Sequence, residues 1–127
     1  MSRMVKIDSH KLEGLALSYA VSMIEMPHLV WGKTIGVHHA SFQIVIPELS
    51  EPYCYSPYLG WDMCGPIIER EKLSPMWSDL WGAWEIPNPC NAAGGICGST
   101  FLIAAMRAYV IKKVGSYIKI PKELVNV

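Results

Sequence analysis

Gly98-Ser-Thr-Phe-Leu-Ile-Ala-Ala-Met-Arg-Ala-Tyr-Val-Ile-Lys-Lys-Val-Gly115 is the stretch on which the fold turns. From Phe101 to Val114 it is apolar almost all round, with Arg107, Lys112 and Lys113 as its charges. Ser99 is placed to cap the start of a helix and Gly115 to stop it. A helix that is apolar on every side needs cover from two directions, by a sheet and by something else. Arg107 interrupts that surface where a charge must find a partner. Asp62 or Glu69 on a preceding helix is the expected partner, ahead of a bound anion.

Immediately upstream, Asn91-Ala-Ala-Gly-Gly-Ile-Cys-Gly-Ser-Thr100 reads as a glycine-rich turn entering that helix. Backbone N–H groups there, with the Ser99 and Thr100 hydroxyls, can converge on a phosphate or carboxylate. The run lacks the lysine and the spacing of a P-loop, so a flexible turn with a serine cap is the favoured reading.

Working outward, Leu12, Leu15, Tyr19 and Met23 recur with Ala16, Ala20 and Ile24 at helical spacing. The pattern predicts an amphipathic helix from about Ser9 to Glu25, capped by Asp8-Ser9 and ended by Pro27. Phe42, Ile44 and Ile46 alternate as in a strand, and Glu48 to Pro57 reads as loop. A second helix is expected over Gly60 to Lys72, with Trp61, Cys64, Ile67 and Ile68 turned inward. Pro66 predicts a kink or a late start in it. Trp81 to Ile86 reads as a second strand, and Tyr117 to Ile120 as a short edge strand.

The chain has 127 residues and equal numbers, 11 each, of Lys+Arg and Asp+Glu. That size fits a single domain over 1–127. Neutrality argues against binding by neutralising a phosphate backbone, so no nucleic acid is expected. Apolar residues make up 51% and charged residues 17%, against a norm of about 25% charged. A surface so poor in charge predicts that a partner subunit or a ligand covers part of it, hence a homo-oligomer. The start carries no signal-peptide pattern and no apolar stretch reaches spanning length, so no membrane is expected. Cys54, Cys64, Cys90 and Cys97 form no CxxC pair, and reduced thiols are the plainer reading. Cys90, Cys97, His38 and His39 match no standard zinc spacing, so neither metal nor cofactor is assigned.

Tyr55-Ser-Pro57, Gly60-Trp-Asp62, Gly65-Pro-Ile-Ile-Glu-Arg70, Trp81-Gly-Ala83 and Leu102-Ile-Ala-Ala-Met-Arg107 carry a resemblance. Together they resemble the NinX-like family of tailed-phage proteins and, more distantly, the phage ABA sandwich domains. The resemblance runs from about Leu12 to Leu124, its diagnostic part from Tyr55 to Arg107. The stretch from Val30 to Ser50 is longer than the family's, and Ser99-Thr100 stands where it has Thr-Pro. The resemblance implies phage or prophage origin, the host cytoplasm and an accessory role, and it transfers no catalytic residue. The expected fold is α+β, a small antiparallel sheet with helices on both faces (an α-β-α sandwich), in helix-strand-helix-strand-helix order.

Candidate ligand residues are Tyr58, Trp61, Arg70, Gly98, Ser99, Thr100 and Arg107. In that picture amides and arginines hold phosphate while the rings stack a base. No nucleophile with an activating base is legible, so no catalytic residue is assigned. The leading expectation is a non-catalytic oligomeric binding protein that sequesters a small anionic, nucleotide-type defence signal. Its alternatives are an inhibitor of a host protein, or a small metal-dependent nucleotide or phosphoester enzyme using Asp62 or Glu69.

Overall fold

The computed structural model describes residues 3–27, 35–38, 41–44, 53–54, 60–74, 76–78, 83–87 and 95–125. Its helices are α1 (Gly14–Glu25), α2 (Trp61–Glu71) and α3 (Phe101–Val114). The strands are β1 (Met4–Asp8), β2 (Ile35–His38), β3 (Ser41–Ile44), β4 (Tyr53–Cys54), β5 (Met76–Ser78), β6 (Ala83–Pro87), β7 (Gly95–Gly98) and β8 (Tyr117–Pro121). Among the described residues all pairing is antiparallel, in three groups: β1-β8, β2-β3-β4 and β5-β6-β7. The α+β class with antiparallel strands is therefore the fold, and the expected helix-strand-helix-strand-helix succession lies within it.

α3 has the bounds read from the sequence, and Leu102, Ala104–Met106 and Ala108–Ile111 are buried. Its own chain covers it: β6 and β7 pack on it, as do α1, α2 and the short 3-10 turn Ser9–Lys11. The cap differs from expectation. Thr100, not Ser99, has the extended backbone of a cap, and its Oγ1 accepts from the Ile103 N–H at 3.1 Å. Gly115 follows the last turn with a φ of 109°, which glycine tolerates without strain.

The first helix begins at Gly14 rather than Ser9. Asp8 caps the 3-10 turn instead, accepting from the His10 N–H at 2.9 Å. Ser9 is buried and turned to the far end of the chain. Its N–H donates to the Ser116 carbonyl and its hydroxyl to the Gly115 carbonyl, each at 2.8 Å. α1 is not a one-sided amphipathic helix, because every residue from Ala16 to Ser22 is buried. α2 starts at Trp61 with Pro66 inside it, so the late start does not occur. Cys64 and Ile67 face the core as expected, whereas Trp61 is 58% exposed.

Five strands stand where the sequence predicts none: β1, β2, β4, β5 and β7. β1 pairs with β8 in the register Lys6 to Lys119. β4 lies within the stretch Glu48 to Pro57 expected as loop, and β7 within the expected glycine turn. The strands expected at Phe42 to Ile46 and Trp81 to Ile86 appear as β3 and β6. Their remaining residues, 45–46 and 81–82, lie outside the described ones.

Candidate functional site

Trp61 opens α2 and Phe101 opens α3, and their rings meet at 5.3 Å between centroids with a 53° tilt. At the other end Glu71, the last residue of α2, meets Lys112 and Lys113 in the last turn of α3. The two helices therefore run side by side in the same direction, and their N-terminal dipole ends lie together. Ser99 and Thr100 are exposed at that end. It carries the exposed Trp61 ring, its Phe101 neighbour and the Ser99 hydroxyl. The Thr100 side chain is engaged as the cap. The Asp62 carboxylate folds back on Gly60, its Oδ1 2.5 Å from where a Cβ would sit there. An acid in the first turn supplies negative charge to the α2 start from within the chain.

The remaining candidate residues do not gather at this end. Arg70 sits in the last turn of α2, where Nη2 donates to Glu25 Oε2 at 2.7 Å and to the Tyr109 hydroxyl at 3.1 Å. Its Nε donates to Glu71 Oε2 at 3.1 Å. The Tyr109 hydroxyl in turn donates to Glu25. One clasp thus joins the end of α1, the end of α2 and the middle of α3. The carboxylates hold Arg70 firmly protonated, while burial and then Glu25 push the Tyr109 phenol above its ordinary range.

Arg107 lies two positions from Tyr109, and two helical positions differ by about 200° around the axis. It therefore points to the opposite flank of α3. There its Nε donates to the Leu12 carbonyl at 2.6 Å and its Nη1 to the Cys97 carbonyl at 2.9 Å. Neither Asp62 nor Glu69 partners it, which corrects the ion pair expected from sequence. Burial lowers its affinity for the proton, and the nearby Glu13 charge opposes that. Gly98 is buried in β7 against the first turns of α3, not free in a loop. Tyr58 lies outside the described residues, as do Cys90 and His39 of the unassigned zinc set.

Sequence reasoning missed Glu25, Glu71 and Tyr109, the three that organise the clasp. The one signal for it was a tyrosine inside the apolar stretch of α3, since a buried phenol needs a partner. Among the described residues, no three His, Cys, Asp or Glu side chains gather to hold a metal. Asp62 and Glu69 are both exposed on α2. Burial pushes the Cys64 thiol up to about 12, which keeps it protonated and unreactive, while Cys97 is exposed.

The Glu71 carboxylate, 8% exposed, faces Lys112, Arg70 and Lys113. Lys112 first, then the other cations, lower it from 4.5 to about 2. A carboxylate depressed on folding stabilises the fold above its unfolded value. That stability is lost as pH falls from about 4.5 toward 2. Its three cations are partly solvated, so screening holds the effect at pH 7 to about 1 kcal/mol. Glu71→Gln is expected to melt lower than the native chain at pH 7 and level with it near pH 2. A difference that persists unchanged at the acid end would contradict this assignment.

Fold and site together define a small α+β protein built round the buried stretches of α1 and α3, with an aromatic-topped pair of helix starts as its candidate contact surface. The sequence model of the family described as "Bacteriophage P22, NinX" matches residues 8–113, and the chain belongs to that family. It is a phage protein, of the accessory kind. No curated relative matches it. Among the described residues, no helix is long and apolar enough to cross a membrane.

Proposed function

We propose that this phage protein is non-catalytic and works by binding in the host cytoplasm, sequestering a small anionic, nucleotide-type ligand as a homo-oligomer. The observation that carries this reading is Trp61. A large ring left 58% exposed at a helix start, backed by Phe101 and beside Ser99, is a ready stacking face for a base. The paired helix starts of α2 and α3 favour the negative charge of an attached phosphate. Sequestration needs affinity alone, so no general base enters.

A second reading is favoured by a different observation. Arg70 and Arg107, the two arginines that would grip a phosphate, are held by the chain's own groups. An exposed aromatic backed by a second ring also suits a protein partner, since Trp is enriched in the centres of interfaces.

Denaturing the purified protein and identifying what it releases by mass spectrometry separates the two. A released nucleotide supports sequestration, and a co-purifying host polypeptide supports the inhibitor. Trp61→Ala is expected to weaken capture at least about tenfold, as loss of one stacking or hot-spot ring does. It should leave the melting temperature nearly unchanged, because the ring is mostly outside the core. Capture that is indifferent to Trp61 would place the contact surface elsewhere.

A further inference from the structure

The β1-β8 ribbon concentrates positive charge that the neutral composition conceals. Residues 3–8 and 117–122 hold Arg3, Lys6, Lys119 and Lys122 against a single carboxylate, Asp8. That carboxylate is engaged with the His10 N–H and ring nitrogen. Because the whole chain sums to zero, the ribbon carries +3 and the remainder −3.

The strand alternation puts two of these cations, Lys6 and Lys119, directly opposite each other on one face. Val5 and Ile7 pair with Ile120 and Ile118 on the face that packs against the core. The other face carries Met4 and Lys6, opposite Pro121 and Lys119, with Tyr117 opposite Asp8. Like charges directly opposite one another destabilise a ladder. Neither ammonium has a carboxylate partner among the described residues. Lys6 Nζ instead sits 4.8 Å from the centre of the Tyr117 ring. Tyr117 is 56% exposed and Met4 43%. A hollow of about 180 Å³ opens here, lined by Lys6, Tyr117, Ile118 and Lys119.

We propose that this face docks an extended acidic segment of a partner protein, with a carboxylate seated between Lys6 and Lys119 and an apolar neighbour against Tyr117 or Met4. Charge complementarity names the occupant. A carboxylate there removes the Lys6–Lys119 repulsion, and an extended segment matches strands of five residues each, roughly 17 Å of ribbon. A polynucleotide fits less well, because its charge runs on past the ribbon and meets the net −3 of the remaining chain. A short acidic segment touches the ribbon alone. The surface uses none of the residues of the Trp61 end and stands or falls separately from the function proposed above.

Fluorescence anisotropy on the full chain tests it, with three labelled probes. One is a short peptide with Glu at alternate positions, the second its Gln twin, and the third a single-stranded oligothymidine. The Glu peptide is expected to bind at least about tenfold tighter than its twin, weakening as salt rises. In K6E/K119E that binding should fall at least about tenfold, with near-ultraviolet circular dichroism unchanged. If the double reversal unfolds the chain, K6Q/K119Q gives the same reading. Equal binding of the two peptides, indifference of the variants, or a response confined to the oligonucleotide overturns the proposal.

Discussion

Gly98→Ala is expected to cost about 3 kcal/mol and to lower the melting temperature by about 10 °C. A Cβ at this position would lie 2.5 Å from the Ala104 nitrogen, 2.9 Å from the Ala104 Cα and 3.0 Å from Ile103 Cγ2. Two of those atoms are helix backbone and cannot swing aside as a side chain would. Relief requires β7 to move off α3, and β7 is tied through its ladder to β6. Gly65→Ala is the internal control. It lies inside α2 with nothing within 4 Å of the added carbon, so it should be neutral or stabilise by up to about 1 kcal/mol. Thermal melts of both variants beside the native chain make the comparison. A Gly98→Ala protein that melts with the native one would show that β7 is not pressed on α3 as described. The result also bears on function. A glycine required for close packing explains the Gly-Ile-Cys-Gly run without any phosphate to cradle.

What could be read from the sequence was whatever a local pattern determines. The fourteen residues of α3 are marked by apolarity that only Arg107, Lys112 and Lys113 break, a capping hydroxyl before them and Gly115 after, all within the helix's own neighbourhood. Even there the cap is Thr100 and not the expected Ser99, since two adjacent hydroxyl residues offer the same local pattern. Only the backbone shows Thr100 in the extended conformation with its oxygen on the Ile103 N–H. β1 escaped notice for the opposite reason. Met4 to Asp8 is too short to announce itself, and it becomes a strand because β8, more than a hundred residues later, offers it a ladder. The same distance hid Ser9, whose cap-like hydroxyl serves Gly115 instead of its own helix. The clasp of Glu25, Arg70 and Tyr109 joins three helices, and no periodicity within one of them could reveal it. At the candidate site, Trp61 was legible as a ligand candidate but also stood among the inward residues of α2. Its 58% exposure removes it from the inward set.

Arg107→Met is the second large effect, and it separates a structural arginine from a ligand-binding one. The guanidinium joins the carbonyl of Leu12, whose side chain is 1% exposed, to the carbonyl of Cys97 in β7. It thereby ties the approach to α1 and the strand beside α3 to one side chain. Methionine keeps much of the apolar stem and leaves both carbonyls without their donor. Hydrogen bonds to a charged group contribute about 1.5 to 3 kcal/mol each, and an unsatisfied buried acceptor costs about 1 to 3. With Cys97 more open to water than Leu12, the expected loss is about 3 kcal/mol. Arg107→Lys should recover part of it, since an ammonium is a compact donor that lacks the fork needed to span both carbonyls. An arginine kept for an anion would behave the other way. A cation buried without its ligand is a liability, so replacing it by methionine would leave the ligand-free protein as stable or more stable. Urea titration of the native chain, Arg107→Met and Arg107→Lys distinguishes the two cases. The descending order native, lysine, methionine assigns Arg107 to the fold, and a methionine variant at or above native stability assigns it to a bound anion.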